Sequence, residues 1–206
     1  MKKTKSEIDK VMTITQFLHS RGFHSFEGYS QQVPEQVKHL IQLSSASQMN
    51  IMEIGFNAGH SADIFLKSNP NLTLTSFDLG SHTYVMTAKE YIDAAYPNRH
   101  TLILGDSTVT VPKYINNNPD KTFDIIFIDG GHDYPIPKID LENCKKLANK
   151  DTIVIMDDTY YTKDTDGDYN GPTKTWIEYL NNGTITELKR ADYPNTRGMT
   201  WGKYVF

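Results

Sequence analysis

The chain has 206 residues, 38% of them apolar and 22% charged, which is enough for one folded domain with a real core. Twenty-one basic residues against 25 acidic ones leave a net charge of −4, and this argues against a dedicated nucleic-acid surface. The single cysteine, Cys144, excludes an internal disulfide framework, and no apolar run reaches the ~18 residues of a membrane helix. The basic start Met1-Lys2-Lys3 has no apolar signal core behind it, so the expectation is a cytoplasmic protein without membrane or nucleic-acid partners.

In chain order, residues 1–48 read as a helical N-terminal extension and 49–206 as the main domain. Ile8, Val11, Met12, Ile14, Phe17 and Leu18 recur at helical spacing, and Arg21-Gly22 ends that helix. A second helix follows Pro34. Phe17, Phe23, Phe26 and Tyr29 exceed what a linker needs, so the segment reads as a partner surface, a lid or a homo-oligomer contact. From Ile51 strands and helices alternate. Strands are predicted at 51–54, 72–77, 101–104, 123–128 and 152–156, with helices at 61–67, 85–95, 109–115, 136–147 and 172–180. Residues 185–188 and 199–206 read as two closing strands. Such alternation predicts an α/β fold: a doubly wound, mainly parallel, seven-stranded sheet covered on both faces. Asp164 to Gly171 has misplaced glycines for a calcium loop and reads as a polar loop over a substrate, near Tyr160, Tyr161, Tyr169 and Trp176.

Ligands of these folds bind beyond the carboxyl ends of the strands. There the sequence places Glu53-Ile54-Gly55-Phe56-Asn57-Ala58-Gly59, then Asp78-Leu79, Asp106-Ser107, Asp129 and Asp157-Asp158. Glycines at 55 and 59 permit a sharp turn and close approach to a ligand. Asp78 is placed to accept hydrogen bonds from ribose hydroxyls. Asp129, Asp157 and Asp158 meet at one mouth if strands four and five are neighbours. Three carboxylates there repel one another, and a hard divalent cation, Mg²⁺ above all, relieves this.

The G-x-x-x-G spacing preceded by Glu53 resembles motif I of the class I S-adenosylmethionine-dependent methyltransferases, over about Ile51 to Met156. The resemblance implies a Rossmann-like fold with Gly55, Phe56, Asn57 and Gly59 around the methionine part of the cofactor. It places Asp78 on the ribose, Leu79 beside the adenine, and Asp106 with Ser107 at the adenine amino group. Glu53 would orient the loop or reach the cofactor amine through water. His60 is expected to face solvent at a helix start.

Ile128-Asp129-Gly130-Gly131-His132-Asp133-Tyr134 resembles the I-D-G-x-H-x-Y signature of metal-dependent small-molecule and sugar O-methyltransferases. That likeness implies a cation on Asp129, Asp157 and Asp158, Asp129 also facing the cofactor, and His132 as general base. The expected reaction is methyl transfer to a hydroxyl on a sugar-like or phenol-like small molecule. Two alternatives stay open: a cofactor-binding module without catalysis, and a nicotinamide-dependent oxidoreductase, which the missing G-x-G-x-x-G disfavours.

Overall fold

The computed structural model describes residues 12–27, 29–46, 49–162, 167, 169–195 and 197–206. Ile8 and Val11 of the expected first helix lie outside them, as does half of the Asp164–Gly171 loop. Helix α1 (Ile14–Ser20) starts at a capping box in which Thr13 and Gln16 each satisfy the other's backbone N–H. A 3₁₀ turn (Ser30–Gln32) and helix α2 (Pro34–Leu43) follow. Alternating elements come next: β1 (Met49–Ile54), α3 (His60–Ser68), β2 (Leu72–Asp78), α4 (Val85–Ala95), β3 (His100–Leu104) and α5 (Ser107–Asn117). The chain closes with β4 (Ile125–Ile128), α6 (Ile136–Lys145), β5 (Ile153–Asp157), α7 (Gly171–Asn181), β6 (Ile185–Tyr193) and β7 (Arg197–Tyr204).

The seven strands form one sheet in the order β3-β2-β1-β4-β5-β7-β6. β7 runs antiparallel to both β5 and β6, and the other described pairs are parallel. Both faces are buried. Ile51, Phe127 and Ile155 pack with α1 to α4 on one side. Met52, Ile126, Val154 and Trp176 pack with α5 to α7 on the other. Every central strand is therefore apolar on both faces. Glu53 is the charged exception within β1 and is fully buried.

The aromatic residues before β1 are spent on this packing. Phe17 lies in the core and meets Tyr91 at 5.5 Å, and Phe26 meets Tyr84 at 5.4 Å. Trp176 is also core, with Nε1 donating to Glu187 at 2.8 Å. No helix among the described residues is long and apolar enough to cross a membrane.

Strand order reverses between β1 and β4, and a cleft of about 780 Å³ opens at the carboxyl ends there. The register pairs Ile54 with Ile128 and Ile128 with Met156, so Gly55, Asp129 and Asp157 emerge side by side.

Candidate active site

Gly55 makes the tightest approach in the site. It has φ +98°, and a Cβ there would lie 1.8 Å from the Asp129 carbonyl oxygen. Only glycine tolerates both the left-handed backbone and that contact. Its N–H donates to the Phe77 carbonyl at 2.8 Å, locking the loop to β2. Gly59, also at positive φ, forms the N-cap of α3 and packs on Ile14 and Phe56 rather than on the cleft.

Asp78 serves the same loop. Its Oδ2 accepts from the Asn57 N–H at 2.8 Å and its Oδ1 from the Gly80 N–H at 2.7 Å. Each oxygen keeps a second lone pair for a ligand hydroxyl. Asn57 stands at φ +49°, a conformation asparagine adopts more readily than most residues. Asp106 caps α5, its Oδ1 accepting from the N–H and hydroxyl of Thr108. Asp78, Leu79, Asp106 and Ser107 all line the cleft, and Leu79 is 66% exposed there.

Two expected contacts turn inward. The Glu53 carboxylate accepts from Ser61 and, at 2.5 Å, from Ser76, beneath the loop. Burial pushes its carboxyl up to about 8 against those two hydrogen bonds, with Asp129 and Asp78 adding to the rise. The Phe56 ring is buried and stacks on His100 at 5.0 Å. Both order the loop from below: alternation sends Glu53 to the α3 face, and the turn at Gly55 brings Phe56 into the same core. His60 is likewise 3% exposed rather than solvent-facing. It stacks on Tyr29 at 4.0 Å and contacts the Thr15 hydroxyl, and burial pushes its imidazole down to about 4.

At the opposite end Asp129, His132 and Asp158 offer ligand atoms within 4.8 Å of one another. His132 Nε2 lies 3.2 Å from Asp158 and 3.9 Å from Asp129, so the closer contact is with Asp158. Asp129, burial notwithstanding, and then Asp158 raise the His132 imidazole above its ordinary 6.5. Burial, with Asp158 alongside, pushes Asp129 up to about 6. Asp158 has φ +51°, which breaks the strand alternation and turns its carboxylate into the cleft.

Asp157 departs from the expectation. Both its oxygens accept from Gln36 Nε2, at 2.8 and 2.6 Å, and it contributes nothing to the cluster. Burial first, then Asp129 and Asp158, raise its carboxyl well above the usual range. The partner comes from α2, a pairing that sequence distance hides. Arg197 was also missed. Its Nε lies 3.6 Å from Asp158, and Nη1 donates to the Tyr29 carbonyl at 3.4 Å. It reaches the site because β7 inserts beside β5, which no local pattern announces.

The His132 loop is fixed from behind. Asn170 caps α7 and donates to the Asp158 carbonyl at 2.6 Å. Gly171 packs so closely that a Cβ would stand 2.1 Å from the His132 carbonyl oxygen. Tyr134 of the signature points to α7, donating to Glu178 at 3.1 Å. Tyr160, Tyr161, Tyr169 and Trp176 are absent from the cleft wall, and Tyr161 lies under Arg190 instead.

The fold recurs in solved structures. An O-methyltransferase from Bacillus cereus in complex with SAH superposes with a TM-score of 0.70 at 18% identity, over 98% of this chain and 92% of that one. TomG from Streptomyces achromogenes, an O-methyltransferase involved in tomaymycin synthesis, in complex with SAM, gives 0.68 at 16% identity, over 100% and 92%. CalS11, a TDP-rhamnose 3'-O-methyltransferase in calicheamicin biosynthesis, gives 0.62 at 18% identity, over 100% and 97%. No curated protein sequence matches the chain. A family model described as a methyltransferase domain matches residues 52–159, which run from β1 to just past β5 and carry both ends of the cleft. The chain therefore belongs to the methyltransferase-domain family, and the oxidoreductase alternative is set aside.

Proposed function

We propose that the protein transfers a methyl group from S-adenosylmethionine to a hydroxyl of a small molecule, assisted by a divalent cation. The observation that carries this reading is the composition of the cleft. Its wall joins Gly55, Asn57, Asp78 and Asp106 at one end to Asp129, His132 and Asp158 at the other. Its volume, about 780 Å³, accommodates a cofactor with a small acceptor. The SAH and SAM complexes of the B. cereus enzyme and TomG support the cofactor.

The donor set fits a divalent cation, since two carboxylates and an imidazole converge within 4.8 Å. The carboxylate oxygens suit Mg²⁺ or Mn²⁺. Asp129 and Asp158 would hold it, and it would lower the pKa of an acceptor hydroxyl. His132 takes the hydroxyl proton at its ring nitrogen, aimed by the two carboxylates. The loop and Asp78 align the methyl donor, so that orientation supplies much of the rate.

The rest of the cleft wall is polar, with Glu27, Gln32, His82, Asn195 and Arg197, and Phe77, its one phenyl residue among the described ones, is fully buried. This favours a polyhydroxylated, sugar-like acceptor over a flat phenol, in line with CalS11, a TDP-rhamnose 3'-O-methyltransferase. Calorimetry with SAH tests the cofactor. Methyl transfer to a panel of sugar and phenol acceptors, with and without EDTA, tests the rest. No SAH binding would sink the reading, and full activity in EDTA would remove the cation.

A further inference from the structure

A second, smaller cavity of about 20 Å³ adjoins the cleft and shares Gly55, Asn57 and Asp129 with it. That is room for one small polar group. Two residues on its wall each carry a buried polar atom without a partner among the described residues: Asn57 Oδ1 and His60 Nδ1. His60 as a whole is 3% exposed. Burying such atoms unpaired costs stability, so their presence needs a reason.

The His60 ring is fixed from the segment before β1. Its Nε2 lies 3.0 Å from the Thr15 hydroxyl, and Tyr29, which also lines the cavity, stacks on it at 4.0 Å. Phe26 meets it edge-on at 5.6 Å. Nδ1 is therefore the ring atom left for a ligand. Burial keeps the imidazole neutral, so only one ring nitrogen carries a proton. His60 is also the first residue of α3, a nine-residue helix whose N-cap, Gly59, makes no side-chain capping bond. The start of such a helix favours an anion through its N–H groups and its dipole.

The wall thus combines donors, at the helix start and the imidazole, with acceptors, at Asn57 Oδ1 and the Asp129 carboxylate. That combination suits the end of an α-amino acid, whose carboxylate needs donors and whose ammonium needs acceptors. A sulfonium has three substituents. With the nucleoside at Asp78 and the methyl group at His132, the amino-acid chain is the branch left to the wall that the two cavities share. A carboxylate beside His60 selects the tautomer protonated at Nδ1, and the Thr15 hydroxyl then donates to Nε2. Resting on the methyltransferase reading above, we propose that His60 recognises the carboxylate of the cofactor's amino-acid end through its Nδ1–H, with Thr15 and Tyr29 as positioning residues that hold the ring. The residues before β1 then take part in cofactor selection as well as in packing.

The test is calorimetric binding of S-adenosylhomocysteine and of its decarboxylated analogue, which keeps the amine, in EDTA to exclude any cation. Wild type should prefer the compound with the carboxylate. His60→Phe keeps a ring for Tyr29 and loses the donor, so it should narrow that preference about tenfold by weakening S-adenosylhomocysteine alone. His60→Asn, whose amide nitrogen can stand near the Nδ1 position, should retain most of the preference. Nitrogen-15 NMR should show His60 protonated at Nδ1 in the wild-type complex, and Thr15→Val should weaken that bias and narrow the preference by less than His60→Phe does. Equal losses for both compounds in His60→Phe would mean that the ring only supports the loop, and an unchanged preference would mean that the cavity takes only water. Either result overturns the proposal, and so does a wild-type complex protonated at Nε2, a readout that stands even if the phenylalanine variant does not fold. Wild type binding neither compound would instead sink the cofactor reading on which the proposal rests.

Discussion

Replacing Glu53 with glutamine should stabilise the protein more and more as pH rises. Glu53 is fully buried, with two serine hydroxyls as its only described hydrogen-bond partners. Its carboxyl moves from an ordinary 4.5 to about 8 in the folded chain. Between those values the folded state holds a proton that the unfolded state releases. The unfolding free energy of wild type therefore falls as pH rises through that window. At ~1.4 kcal/mol per pH unit the whole window is worth about 5 kcal/mol as a ceiling. Structural relaxation and water entry reduce this, so about 2–4 kcal/mol is the expected gain of the variant at pH 9 over pH 5. Glutamine keeps the shape and does not titrate. His60 and His100, both pushed by burial to about 4, weaken wild type and variant alike on the acid side and cancel in the difference. Urea unfolding followed by the fluorescence of buried Trp176 measures both proteins at pH 5, 7 and 9. A stability difference that does not change with pH would falsify the assignment of Glu53 as a protonated loop anchor.

Gly55→Ala forces a Cβ to within 1.8 Å of the Asp129 carbonyl oxygen at φ +98°. It should lose about 2–5 kcal/mol in urea unfolding and its SAH binding, and retention of both would refute the close approach. Gly171→Ala, which pushes on the His132 carbonyl at 2.1 Å, should lower turnover while SAH affinity holds. His132→Asn should cut kcat by about 10²–10⁴-fold without changing SAH affinity. Because the carboxylates raise the His132 pKa, NMR titration of its imidazole in the cation-free protein, in EDTA, should give a value above 6.5, and a value at or below it would refute that pairing. Titration with Mn²⁺ followed by electron paramagnetic resonance should show Asp158→Asn losing about tenfold or more in affinity, with Asp157→Asn close to wild type. The reverse order would mean that Asp157 leaves Gln36 to bind the cation.

Much of the fold was readable from local pattern. Predicted and observed helices coincide at Val85–Ala95, and the strand at Leu72 begins on the expected residue. The central strands are unmistakable because each is apolar on both faces, and the G-x-x-x-G turn is legible because backbone geometry restricts those positions to glycine. Pro112 lies inside α5, yet the helix runs through it from Ser107 to Asn117. The burial of Val111 and the cap at Asp106 outweigh the lost hydrogen bond.

The site was legible as a set of residue types and not as a set of contacts. Asp78, Asp106, Asp129 and Asp158 do line one cleft, because strand ends in a parallel sheet share an edge. Sequence alone could not separate Asp157 from Asp158, since a single left-handed residue reverses which carboxylate enters the cleft. Nor could it show that Gln36 claims Asp157, that Arg197 reaches Asp158, or that His60 is buried under Tyr29. Those contacts join elements far apart along the chain, across faces that only packing brings together. The amino-acid sequence by itself determined the alternating sheet, the glycine turn and the acids at its edge, because each follows from backbone rules within a few residues. Tertiary structure alone decided which of those acids meet, because that depends on the order of strands across the sheet and on what the first two helices cover.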